Sequence, residues 1–296
     1  MRRASKAIVA LLLSLVISAC AGGPENPEQT QSLPPLGGPS PDTRSPGVLL
    51  SLQDPRINES SGLAAAADLP GVLYTHNDNG DTARFYAVGE NGMTRAVYHL
   101  PGADAVDWED MSAGPRRSLW FGDIGSNKSD RSYISVYRVT EPSRLTSGPV
   151  PWIRYDFRYA DGRVRNAEAL LIHPINGRLY IATKQNNGAA IYQAPRALSR
   201  VGYNTLRPVA DIPPVITGGA FSHDGRRLVL RSYNEAYLYV GSTPGPSSID
   251  AVATGAPTLL ALPTSGESVT FTRDDRYLLV GQEGVNSPVW ALPIRD

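Results

Sequence analysis

The chain has 296 residues, with 28 lysines and arginines, 28 aspartates and glutamates, and a single cysteine. The two signs of charge are interspersed, which argues against nucleic acid as a partner. One cysteine excludes an intrachain disulfide, so packing alone must hold the fold together.

Residues 1–20 have the pattern of a bacterial lipoprotein signal peptide. Three basic residues precede an apolar run over 7–17 that is too short for a lasting membrane span. Residues 17–20 read Ile-Ser-Ala-Cys, which resembles a lipobox, and the cysteine would carry the lipid. We therefore expect lipidation at Cys20 and an extracytoplasmic protein anchored to the bacterial cell membrane. The alternative is a plain signal peptide with an incidental cysteine.

Residues 21–46 are rich in proline, with glycine, serine and glutamine between the prolines. Such a composition favours an extended, solvated tether. The remaining residues, 47–296, suffice for one domain with a substantial core, which we expect to be monomeric.

A short strand with an aromatic residue in a fixed position recurs along this domain. The aromatic residues are spaced by 51, 55, 47 and 51 residues: Tyr86, Tyr137, Tyr192, Tyr239 and Trp290. An apolar strand precedes each of them, and turn signals such as Asn176-Gly177 precede some of those strands. Four strands in about 50 residues is typical of a propeller blade.

The last repeat ends close to the C terminus without an outer strand. Residues 47–52 match the outer-strand pattern, so we expect them to complete the last blade and remove its exposed edge. The sequence thus predicts an all-β fold, a single β-propeller of five four-stranded blades closed by the N-terminal strand. Six blades, with a degenerate one in 110–166, is the alternative.

The first strand of each blade faces the central channel of a propeller, and alignment of the repeats places acidic residues there. The equivalent positions are Glu59, Glu109, Glu168, Thr217 and Glu267. Four glutamates at one level of a narrow channel would repel one another strongly. A metal ion, nearby cations, shared protons or water must offset that repulsion.

Candidate partners follow the second strands. Lys184 and Arg231 occupy these places in the third and fourth blades. The other blades carry oxygen-bearing side chains there: Asn77, Asp78, Asp123, Asn127, Gln282 and Glu283. An all-oxygen ligand set suits Ca²⁺ or Mg²⁺ better than zinc. The alternative is a structural ring whose glutamates bond to neighbouring backbone groups.

Four motifs together resemble an uncharacterised family of bacterial secreted propeller lipoproteins. They lie at 76–80 (His-Asn-Asp-Asn-Gly), 107–110 (Asp-Trp-Glu-Asp), 122–127 (Gly-Asp-Ile-Gly-Ser-Asn, with Arg131) and 167–170 (Ala-Glu-Ala-Leu). The chain is similar, more distantly, to phytase-like and alkaline-phosphatase-like propellers. That resemblance implies metal ligands at the channel mouth, namely Glu59, Asp78, Glu109, Asp123, Glu168, Glu267 and Glu283. It also implies that Lys184 and Arg231 grip phosphate. Asn77, Asn127 and Arg131 belong to the same motifs.

Two functions follow as hypotheses. The first is a metal-dependent, phosphoesterase-like hydrolase in which Glu109, Lys184 and Arg231 are catalytic. The second is a non-enzymatic binding or scaffolding propeller that recognises a small molecule or a cell-envelope component. A weaker third hypothesis is that calcium only stiffens the fold.

Overall fold

The computed structural model describes residues 45–126, 131–241, 249 and 256–294. The predicted signal peptide with Cys20, nearly all of the predicted tether, and Asn127 lie outside the described residues. Among the described residues, no helix has both the length and the apolar character needed to cross a membrane.

The chain is built from consecutive strands that pair in groups of four. The first group is β2 (Ser60–Ala65), β3 (Leu73–Asn77), β4 (Arg84–Val88) and β5 (Thr94–His99). The second is β6 (Trp108–Gly114), β7 (Ser118–Asp123), β8 (Ile134–Thr140) and β10 (Trp152–Tyr159), with the short β9 (Gly148–Pro149) before β10. The third is β11 (Ala167–Ile172), β12 (Leu179–Thr183), β13 (Ala190–Gln193) and β14 (Tyr203–Asp211).

Two more groups complete the described part of the chain. The fourth is β15 (Gly218–Phe221), β16 (Arg227–Arg231), β17 (Glu235–Val240) and β18 (Thr258–Ala261). The fifth is β19 (Val269–Phe271), β20 (Tyr277–Gly281), β21 (Pro288–Pro293) and the N-terminal β1 (Gly47–Ser51).

Each group is an antiparallel meander, and two pairings depart from that plan. β9 adds in parallel to the outer edge of β5. β10 pairs in parallel with β14, which joins the second and third groups into one eight-stranded sheet.

The first strands of the groups form a closed ring. β2 contacts β6, β6 contacts β11, β11 contacts β15, β15 contacts β19, and β19 returns to β2. β1 pairs antiparallel with β21, so the N-terminal strand lies at the outer edge of the last sheet. The prediction of an all-β propeller closed by its N-terminal strand is confirmed.

The core is divided among the interfaces between neighbouring sheets. Between the first and second sheets, Phe85, Trp108, Phe121 and Tyr137 pack ring against ring with centroids 4.9–5.8 Å apart. Leu50 of β1 belongs to the cluster between the last and first sheets. Burying apolar side chains between sheets is the main favourable contribution to such a ring.

We expect Leu50→Ala to destabilise the protein, since Leu50 is 5% exposed and its removal leaves a cavity at the closing sheet. The cost should be about 2–4 kcal/mol, which lowers the melting temperature by roughly 5–15 °C. The matched control is Val48→Ala in the same strand, where the side chain is 49% exposed. Equal melting temperatures for the two variants, measured by calorimetry, would show that β1 contributes nothing to the core.

Candidate functional site

Three β-bulges set which side chains reach the ring. The register shifts once at the start of β2, of β6 and of β11, and the extra residues are Ser61, Glu109 and Glu168. A bulge places two residues opposite one and re-aims a side chain out of the ladder. The predicted equivalence of Glu109 and Glu168 agrees with this register.

Glu59 does not occupy the equivalent position, and that prediction is wrong. The residue aligned with Glu109 is Ser61, two positions later. The Ser61 hydroxyl donates to the Glu109 carbonyl and lies 3.5 Å from Glu267 Oε2. Glu59 precedes β2, where its carbonyl accepts the Asp78 amide at 2.8 Å.

Six carboxyl groups, which we call the carboxylate cluster, converge at the end of the ring where β2, β6 and β11 begin. They form three overlapping trios whose oxygens lie within 4.8 Å of one another: Asp78–Asp107–Glu109, Glu109–Glu168–Glu267 and Asp78–Glu267–Glu283. Any two trios share one residue. Five of the six were predicted as ligands, and Asp107 is the addition.

One trio already contains a cation. Lys184 Nζ lies 2.8 Å from Glu168 Oε2 and 3.4 Å from Glu267 Oε1, below the ring of Tyr233. Burial alone would lower the pKa of Lys184, but the carboxylates of Glu168 and Glu267 outweigh it and raise that pKa. Lys184 therefore neutralises the carboxylate cluster on the side of the third group of strands.

The trio of Asp78, Asp107 and Glu109 is different. Glu109 is 2% exposed, and its Oε1 has no hydrogen-bond partner in the described part of the chain. The same holds for Asp78 Oδ1. Burial, reinforced by the charges of Glu168 and Asp78, raises the pKa of Glu109 far above its usual range. Burial, with Glu267, Asp107 and Glu283 nearby, raises the pKa of Asp78 to about 7.

Gly125, in the loop after β7, permits this convergence. A Cβ at that position would overlap Glu109 Oε1 and Asp107 Oδ2. The Gly125 amide also donates to the Asp107 carbonyl at 3.2 Å. Only glycine leaves room for both carboxylates so close to the backbone.

Asp123 and Arg131 position the trio rather than join it. Asp123 Oδ1 accepts the Asp107 amide at 2.9 Å and Arg131 Nη1 at 2.8 Å. Arg131 also donates to the Gly125 carbonyl at 3.0 Å. Asp123 was predicted as a ligand; its carboxylate is paired with Arg131 and lies outside the three trios.

Asn77 fixes the backbone around Asp78. Its Oδ1 accepts the amides of Asn58 and Glu59, both at 3.2 Å, and its Nδ2 donates to the Arg56 carbonyl and to Asp81. Both ends of the amide are therefore committed to protein groups. Asn77 holds the loop that carries Asp78.

Arg231 is not a site residue, which corrects the catalytic role predicted for it. The side chain is fully buried, and its five N–H groups donate to the carbonyls of Ser232, Ser268, Gly281, Tyr233 and Thr264 at 2.7–3.3 Å. Burial lowers its pKa to about 9. With every donor used, Arg231 ties the fourth sheet to the fifth and has none left for a phosphate.

Two further residues show how the surroundings are built. Asp110, beside Glu109, accepts the amides of Met111 and Leu170, both at 2.8 Å. It therefore joins the first strand of the second group to the first strand of the third. Thr217 interrupts the acidic ring, as predicted, and its hydroxyl donates to the Gly266 carbonyl at 3.3 Å. Asp107 was detectable from the sequence, since it stands two residues before Glu109 in the same motif.

Comparisons with known proteins add the following. No family model matches the chain. No curated protein matches it either. Among solved structures, a gluconolactonase from Xanthomonas campestris is similar over 80% of this chain and 72% of its own, with 16% identity and a TM-score of 0.47. A second structure, of a candidate gluconolactonase, is similar over 88% of this chain and 93% of its own, with 15% identity and a TM-score of 0.44. The family resemblance carried by the four motifs stays a prediction.

The raised carboxyl pKa values give a testable pH dependence of stability. A carboxyl whose pKa is raised on folding contributes stability at low pH and loses it as the pH rises through the folded value. For Asp78 that window runs from 3.8 to about 7. In chelator, we therefore expect the melting temperature to fall by a few degrees between about pH 5 and pH 8.

The control is Asp78→Asn, which removes this titrating group and should make the fall shallower, with the raised pKa of Glu109 accounting for what remains. Differential scanning fluorimetry across the pH series measures both proteins. A melting temperature that rises over the same range would contradict the assignment of buried, mutually repelling carboxyls.

Proposed function

We propose that Asp78, Asp107 and Glu109 bind a divalent cation, Ca²⁺ or Mg²⁺, and that this centre serves a hydrolase. The observation that carries the proposal is the unpartnered Oε1 of Glu109, which is buried within reach of two other carboxylates. A buried charge without a partner costs several kcal/mol unless it is neutralised or coordinates a metal. A cation in this trio removes that cost.

The donor set fits a hard cation. All three side chains offer carboxylate oxygens, which suit Ca²⁺ and Mg²⁺. His76, the nearest imidazole, is fully buried against Trp108, and its Nδ1 bonds to the Asn77 carbonyl. Burial lowers the pKa of His76 to about 4. The histidine thus supports the loop and leaves an all-oxygen set.

The remaining roles in hydrolysis fall to side chains of the protein. A bound cation supplies Lewis acidity and lowers the pKa of a bound water. Glu267 lies 3.4 Å from Lys184 and 3.5 Å from Ser61 and is hydrogen-bonded to Glu283, and we assign its carboxylate the role of accepting a proton from water. Lys184 keeps Glu168 and Glu267 in place.

The charge of the cluster favours an uncharged substrate. Six carboxyl groups surround the site, Lys184 is engaged by two of them, and Arg231 gives its donors to backbone carbonyls. Within residues 45–126, 131–241 and 256–294, Lys184 and Arg231 are both engaged, so a phosphoester anion would meet repulsion from the carboxylates there. We therefore propose a neutral carboxylic ester or lactone as the substrate class, in place of the phosphoester first expected.

Cation binding is tested by calorimetric titration of Ca²⁺ and Mg²⁺ into chelator-treated protein. We expect saturating cation to raise the melting temperature of the wild type by roughly 5–10 °C. Glu109→Gln should weaken binding by at least about tenfold, since it removes an anionic ligand. It should also raise the melting temperature of the cation-free protein at neutral pH, because folding no longer has to protonate a carboxyl whose pKa is raised by burial.

Two variants locate the site. Glu168 belongs to the trio that contacts Lys184, so Glu168→Gln should lower the cation affinity less than Glu109→Gln does. The exposed Glu235→Gln should leave affinity unchanged. Equal cation affinity in the wild type and in Glu109→Gln would contradict the proposed cation site.

Turnover separates the enzyme from the binding alternative. We expect hydrolysis of neutral aryl esters or lactones that chelator abolishes and added cation restores, with little activity on aryl phosphates. Glu267→Gln should lower kcat by roughly 10²–10⁴-fold with cation affinity retained. Cation binding without turnover across these substrates would favour the binding or scaffolding propeller.

We also propose that Cys20 is lipidated and anchors the domain outside the cytoplasm, on the strength of the leader pattern over residues 1–20. The full-length wild type should label with a fatty-acid analogue and fractionate with membranes. Cys20→Ala should lose the label. A labelled Cys20→Ala protein, or an unlabelled wild type, would contradict the anchor.

A further inference from the structure

A cavity of about 300 Å³ lies in the second group of strands, apart from the carboxylate cluster. Its walls come from residues 131–134, the end of β10 and residues 162–164. Ile134 pairs with Phe157 where β8 begins and β10 nears its end, and Ser135 pairs with Asp123. The cavity therefore opens at the same end of the sheets as the carboxylate cluster.

Ile134, Phe157 and Tyr159 give the cavity a largely apolar wall, and Ser132 and Tyr133 line it as well. Ile134 and Phe157 are buried, and Tyr159 is 6% exposed. The Tyr159 hydroxyl has no hydrogen-bond partner among the described residues. A buried donor without a partner is costly, so an acceptor placed in the cavity would be favoured.

The rim of the cavity is basic. Arg131, Arg158 and Arg163 line it, and no aspartate or glutamate of the described chain does. The nearby Asp161 is engaged by Arg165, through contacts of 2.9 and 2.6 Å. The Arg158 guanidinium carbon lies 3.6 Å from the centre of the Tyr203 ring, in a cation–π contact.

We propose that this cavity binds a small organic carboxylate with an apolar, aromatic body. The apolar wall receives the body, the arginine rim receives the carboxylate, and the Tyr159 hydroxyl donates a hydrogen bond to it. The volume is at the lower end of the range for small-molecule pockets, so the ligand is small. An Arg–carboxylate contact also gives directional recognition.

The probe is 2-naphthoate, titrated into the wild-type protein by calorimetry, with the neutral 2-naphthalenemethanol as the matched ligand. We expect naphthoate to bind at least about tenfold more tightly than the alcohol. Arg163→Gln and Tyr159→Phe should each weaken naphthoate by about tenfold. The exposed Arg200→Gln should leave its affinity unchanged.

Val164→Trp fills the cavity and should abolish binding of both ligands, with circular dichroism confirming the fold. The proposal does not rest on the cation site, so Glu109→Gln should bind naphthoate as the wild type does. Equal affinities for naphthoate and the alcohol would overturn it. So would full affinity in both Arg163→Gln and Tyr159→Phe, or no binding of naphthoate at millimolar concentration.

Discussion

Repulsion among six carboxyl groups at one end of the ring is the constraint on which the rest of the site depends. The bulges in β6 and β11 aim Glu109 and Glu168 into the same space as Glu267. Lys184 relieves that repulsion on the side of Glu168 and Glu267. On the other side, Asp78 and Glu109 keep raised pKa values, and each has an oxygen with no hydrogen-bond partner in the part of the chain that the structure describes. The proposed cation site rests on this asymmetry between the two sides.

The surrounding polar residues hold this arrangement against its own repulsion. Asp123 and Arg131 fix the backbone of Asp107, and Asn77 fixes the loop that carries Asp78. Arg131 also lines the basic cavity, so one guanidinium belongs to the framework of both proposed sites. The two sites nevertheless differ in the charge of the residues that form them: carboxylates form one, and arginines line the other.

The propeller was predictable because its signals are local and repeated. The aromatic spacing and the outer-strand pattern of residues 47–52 require no knowledge of side-chain direction. The equivalence of Glu109 and Glu168 followed from the same alignment. Glu59 failed because the alignment was two residues out: the bulge that carries Glu109 and Glu168 carries Ser61 in β2, and no carboxylate marks that position in the sequence. Arg231 failed for another reason: its position in the repeat was right, but the buried carbonyls that capture it come from the fourth and fifth groups.

The parallel pairing of β10 with β14 has a consequence for how the repeats can be exchanged. Residues 156–159 share backbone hydrogen bonds with residues 203–206, so the outer edges of the second and third sheets are completed by each other. A chimera that takes the second repeat alone from another propeller would leave the edge of β14 open and prone to pair with a foreign strand. These two repeats form one module for engineering and must be transplanted together.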